Sequence, residues 1–154
     1  MKLLLVCSLF LSFNLFATET LSQAFSKLKQ DEIQSNDIVP TEKAIQKITG
    51  SKVEIKPDWK SFEKSGYNEA QELGADIQML PEVFQKLMDD KEVNEKVKTS
   101  VKTFSFKHNP KAASPSVTFE KGTATLHGNY LQMNWGKMEK GISATIKDQL
   151  LKQK

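Results

Sequence analysis

SVTFEKGTATLHGNYLQMNW, residues 116–135, decides the fold. With a two-residue turn at Lys121-Gly122, Glu120 faces Thr123, Phe119 faces Ala124, Thr118 faces Thr125 and Val117 faces Leu126, so the apolar side chains share one face. A second turn at Gly128-Asn129 sets Tyr130 against His127, Leu131 against Leu126, Gln132 against Thr125 and Met133 against Ala124. The same face stays apolar through both turns. A slip of one residue would turn every side chain over, so the agreement of both turns predicts a three-stranded meander. A helix carrying Leu131, Trp135, Met138, Ile142 and Ile146 competes for the second half, but Gly136 and Gly141 weaken it by ~1 kcal/mol each. Strand followed by helix is the reading adopted.

Outward from the meander, Lys102 to Lys107 reads as another strand, with Phe104 and Phe106 pointing one way and Thr103, Ser105 and Lys107 the other, and HNPKAASPS, residues 108–116, reads as a loop. Further upstream, KVEIKPDWKSF (residues 52–62) alternates Val53, Ile55, Pro57 and Trp59 with charged residues. Pro57 has no N–H for a ladder, so this strand is expected to sit at a sheet edge or to end its pairing at that point, and not to be a fully paired central strand. Trp59 and Trp135 fall on the apolar side of their strands and read as core or core margin.

Helical spacing fills the rest. Leu21, Ala24, Phe25 and Leu28 form one stripe, and residues 31–39, with QSND, read as a linker. Pro40-Thr41-Glu42 opens a helix bearing Ala44, Ile45 and Ile48 that ends at Gly50. Residues 63–79 are poorly patterned, with a helical turn over 69–73 ended by Gly74. Pro81 starts one long helix or two abutting ones to about Ser100, and Met138, Ile142, Ile146 and Leu150 mark a final helix. The expected fold is α+β: a single antiparallel sheet of about five strands, one face covered by amphipathic helices, with a C-terminal β-meander followed by a helix.

MKLLLVCSLFLSFNLFA, residues 1–17, has the layout of a secretory signal peptide, and its apolar run is shorter than the ~18 residues of a membrane span. The expectation is an exported protein, periplasmic or secreted, with residues 18–154 as one α+β domain and no transmembrane span in the mature chain. Cys7 is the only cysteine, so a chain starting at Thr18 has neither a disulfide nor a thiolate site. All basic residues are lysines, within a formal net charge of +3. The lack of the guanidinium fork argues against specific nucleic-acid recognition.

No motif for nucleophilic catalysis, phosphate binding, a cofactor or a metal is present. His108 and His127 are the two imidazoles, with no ligand spacing between them, and the Asp89, Asp90 and Glu92 cluster reads as a solvated surface or a helix junction. The candidate site is the polar face of the meander, with Thr125, His127, Tyr130, Gln132 and Asn134 as ligand-binding residues. The expected function is a non-catalytic binding or scaffolding module for an envelope or extracellular partner or polar ligand. Two alternatives stand beside it: a hydrolytic enzyme whose carboxylate and histidine converge only in the fold, and a protein held by its lysines at an anionic surface.

Overall fold

The computed structural model describes residues 27–62, 67–113, 115–129 and 139–152. The chain divides into two units, Met1–Glu32 and Ile33–Lys154. In the first, residues 27–32 are helical, Lys29 pairs with Glu32 at 2.8 Å, and Leu28 is exposed. Leu21, Ala24 and Phe25 of the same predicted stripe lie outside the described residues, as do residues 1–17.

The second unit is α+β with one sheet. Its helices are α1 (Val39–Thr49), α2 (Tyr67–Asp89), α3 (Asn94–Ser100) and α4 (Glu139–Lys152). Its strands are β1 (Glu54–Ile55), β2 (Thr103–His108), β3 (Ser116–Glu120) and β4 (Thr123–Gly128), in the order β1-β2-β4-β3. Only β3 and β4 are antiparallel; β1 with β2 and β2 with β4 are parallel. The sheet is therefore mixed and four-stranded among the described residues, which corrects the expectation of about five antiparallel strands.

The hairpin has the predicted register, Glu120 with Thr123 through Val117 with Leu126. Lys121 and Gly122 both take positive φ, 49° and 82°, as a two-residue hairpin turn requires. The meander is corrected, because the second edge of β4, where residues 130–135 were to pair, is occupied by β2 over all six residues from Thr103 with Thr123 to His108 with Gly128. Tyr130 to Trp135 themselves lie outside the described residues.

β1 lies at a sheet edge, as Pro57 implies. Glu54, Lys56 and Asp58 donate their N–H groups to the carbonyls of Lys102, Phe104 and Phe106, each at 2.9 Å. The alternate residues face outward, and that row is closed: the Ile55 N–H donates to Glu42 Oε1 of α1 at 2.8 Å, and Pro57 has no N–H to offer. Replacing Glu42 by alanine should therefore cost about 1–3 kcal/mol, seen as a lower urea midpoint. Glu42→Gln, which keeps an acceptor, should lose less; equal losses would show that the contact is incidental. The strand is shorter than expected, since Trp59–Phe62 turn into a 3₁₀ helix, leaving Trp59 half-buried against the core.

Two helical stretches depart from the sequence reading. The expected linker is helical, and Gln34–Ile38 form a π turn. Ile33 and Ile38 are 2% and 0% exposed, and the wider π turn brings residues five apart towards one face, where α-helical spacing would separate them. From Ile38 the buried stripe continues through Thr41, Ile45 and Thr49, and Gly50 caps α1 with φ 71°. Similarly, α2 runs through both Gly74 and Pro81. Leu73, Ile77, Leu80, Phe84 and Leu87 make an unbroken buried stripe across those positions, and that burial outweighs the local breakers. Gly74 is small for a reason of packing: a Cβ there would lie 2.7 Å from Asp37 Oδ2, whose carboxylate also accepts from Gln78 Nε2.

The apolar face of the sheet meets these helices. Phe84 of α2 packs edge-on against Phe104 of β2 at 6.3 Å between ring centroids, and Phe104 meets Phe106 at 5.3 Å. α4 packs on β3 and α2 through Ile142, Ile146 and Leu150, the stripe predicted for it. Four polar contacts tie α4 in place: Lys147 Nζ bridges Asp90 at 2.6 Å and Glu92 at 2.8 Å, Lys96 Nζ donates to the Leu150 carbonyl, and Gln149 Nε2 donates to the Val117 carbonyl. The Asp90 and Glu92 cluster is thus a helix junction, as read, and Lys147 holds the Asp90 carboxyl below its ordinary range.

Candidate functional site

Alternation along the strands puts Thr103, Ser105 and Lys107 of β2, Thr123, Thr125 and His127 of β4, and Ser116, Thr118 and Glu120 of β3 on the face away from the aromatic core. Registers align them in rows. Ser105 lies beside Thr125 and Thr125 beside Thr118, while Lys107 lies beside His127 and His127 beside Ser116. The result is a field of hydroxyl groups with one imidazole. Thr118 Oγ1 and His127 Nε2 are 3.0 Å apart, a diagonal hydrogen bond between β3 and β4 whose donor depends on the imidazole tautomer.

Thr125 and His127 are thus brought together on one face, as expected. Tyr130, Gln132 and Asn134 lie outside the described residues. His127 is not at a hairpin tip, because β4 is paired on both sides at that point. Ser105 and Lys107 join the site through the parallel pairing of β2 with β4, which the sequence reading did not foresee. Their alternation was visible, but not the strand they would lie beside.

Charge on this face is balanced near its margin. Lys56 and Lys52 both bond Glu54 and hold its carboxyl down to about 2, with Lys56 the stronger influence. The two imidazoles do not share a centre. His127 lies on the hydroxyl face, and His108, on the same side of β2 as Phe104 and Phe106, stacks its ring on Phe62 at 5.5 Å. The backbone N–H of His108 donates to Ser61 Oγ at 2.9 Å. Nearby, the Asn109 N–H donates to the Gly128 carbonyl and Asn129 Nδ2 to the Pro110 carbonyl, which ties the ends of β2 and β4 together.

Among the described residues, no three His, Cys, Asp or Glu side chains are grouped to hold a metal ion, and no helix is long and apolar enough to cross a membrane. Compared with known proteins, the chain matches no family model, no curated protein and no solved structure.

Proposed function

We propose that the protein is an exported, non-catalytic binding module that holds a polar, hydroxyl-bearing ligand of the glycan class against the outer face of its sheet. The observation that supports this reading is the alignment of Ser105, Thr125 and Thr118 across three neighbouring strands, with His127 bonded to Thr118 at their margin. Hydroxyls fixed on a sheet are held without a loop to order, so a polyhydroxylated ligand meets donors and acceptors that lose little freedom on binding. Export rests on the leader-like residues 1–17.

The hydrolytic alternative needs an imidazole beside a carboxylate, and it is less favoured because His127 Nε2 is bonded to the Thr118 hydroxyl. The test is calorimetric titration of the protein against a panel of envelope oligosaccharides. Thr125→Val and Thr118→Val, near-isosteric changes on a solvent-facing surface, should each weaken binding about fivefold to tenfold, the worth of a hydrogen bond of about 1 kcal/mol or a little more. An oligosaccharide bound equally by the protein and both variants would remove the reading, as would no binding by the panel.

A further inference from the structure

Asp76 stands in the interior of α2 at 4% exposure, and its Oδ2 has no hydrogen-bond partner. Its helical neighbours Leu73, Ile77 and Leu80 are among the most deeply buried side chains of the core. A carboxylate in such a place loses its hydration, and its Oδ2 gains no hydrogen bond in return, a cost that keeping the proton reduces.

Four charged groups on the surrounding elements have partners of their own. Asp37 of the π turn holds Gln78, Glu42 of α1 holds the Ile55 N–H, Lys96 of α3 donates to the Leu150 carbonyl, and Lys147 of α4 is shared by Asp90 and Glu92. Among the described residues, the charge that acts on Asp76 is that of Glu72, one turn earlier on the same helix, and it has the same sign.

We propose that Asp76 is a proton-dependent latch for α2: the helix stays packed while the carboxyl is neutral, and ionisation loosens it. Burial first, and then Glu72, push the Asp76 carboxyl up to about 8 from an ordinary value of 3.8. An opened helix exposes Asp76, which then ionises above about 3.8, while the packed helix keeps the proton until about 8. Packing of α2 is therefore strongest in acid, weakens as pH rises through that window, and levels off above it.

Amide hydrogen exchange of the full chain, corrected for the intrinsic pH dependence of exchange, tests the latch. Protection of α2 amides should fall by up to about tenfold per pH unit between pH ~5 and ~8 and then level off. In Asp76→Asn, which is neutral at every pH and nearly isosteric, the same amides should show no such fall. Glu72→Gln, which removes the like charge from an exposed position, should end the fall at a lower pH than in the native chain. Equal pH dependence in the native chain and Asp76→Asn would overturn the latch. So would an end-point unmoved by Glu72→Gln, a comparison that stands even if the asparagine variant does not fold.

Discussion

Phe104→Ala should cost about 3–5 kcal/mol, among the largest losses available to a single substitution in this chain. Phe104 is 0% exposed on β2, a strand paired on both sides. Across the sheet its row reads Ile55, Phe104, Ala124, Phe119, so its neighbour on β4 is the smallest side chain of the row. Ala124 cannot swell into the space left behind. From above, Phe84 loses the edge-on ring contact, and Phe106 loses its tilted one. The cavity therefore stays open, and the transfer and cavity contributions add. Urea denaturation should show a lower midpoint at unchanged slope. Phe62→Ala, at the half-buried margin, should lose much less. A loss at Phe104 below about 1.5 kcal/mol would mean that the helices close over the gap, and that the α2 and β2 contact is softer than its geometry implies.

The same residue shows why part of this fold is legible in the sequence and part is not. Local information fixes a hairpin: the turn, the alternation and the register of Val117 to Leu126 all lie within a few residues of one another. Nothing local says which strand lies beside β4, because parallel pairing joins segments separated by a long connection, and Phe104 alternates identically whether its neighbour runs with it or against it. An antiparallel sheet is thus what two local turns suggest, and only the first of them, at Lys121-Gly122, matches the pairing of β4. At β1, Pro57 carried its message locally and the edge position followed. In α2, Gly74 and Pro81 carried a local message of interruption that the buried stripe from Leu73 to Leu87 overrides. The π turn at Gln34–Ile38 was invisible, since its polar QSND composition hides that Ile33 and Ile38 are the residues being turned inward.

For the site, the legible part was again local. Thr125 and His127 were found because the hairpin register places them with Thr118, whereas Ser105 and Lys107 needed the parallel neighbour. Asp76 carried no signal at all. Its spacing matches the buried stripe of α2, but an aspartate in an apolar stripe is normally taken as the solvent-facing margin. Only packing shows that it is enclosed.

Gly122→Ala should destabilise by about 2 kcal/mol or more, and the comparison with Gly50→Ala separates its causes. Both glycines take positive φ, 82° and 71°, where an added Cβ costs roughly 1–2 kcal/mol. Nothing lies within 4 Å of a Cβ at Gly50, so its alanine variant reports that backbone cost alone. At Gly122 the new Cβ would be 2.9 Å from the Ser100 carbonyl oxygen, a backbone atom that cannot swing aside. The Gly122 carbonyl also accepts the N–H groups of Lys102 at 2.8 Å and Thr103 at 3.1 Å, so moving the turn disturbs the entry of β2 as well. The strain thus passes from the hairpin tip to the link between α3 and the strand that carries Phe104. Lys121→Gly should act in the opposite direction, neutral or stabilising by up to about 1 kcal/mol, because Lys121 holds φ 49° with a side chain. Thermal unfolding of the three variants should therefore rank them Lys121→Gly, Gly50→Ala, Gly122→Ala in falling midpoint. Equal losses at Gly50 and Gly122 would show that the hairpin tip yields to the added methyl group, and that its closeness to Ser100 does not constrain the fold.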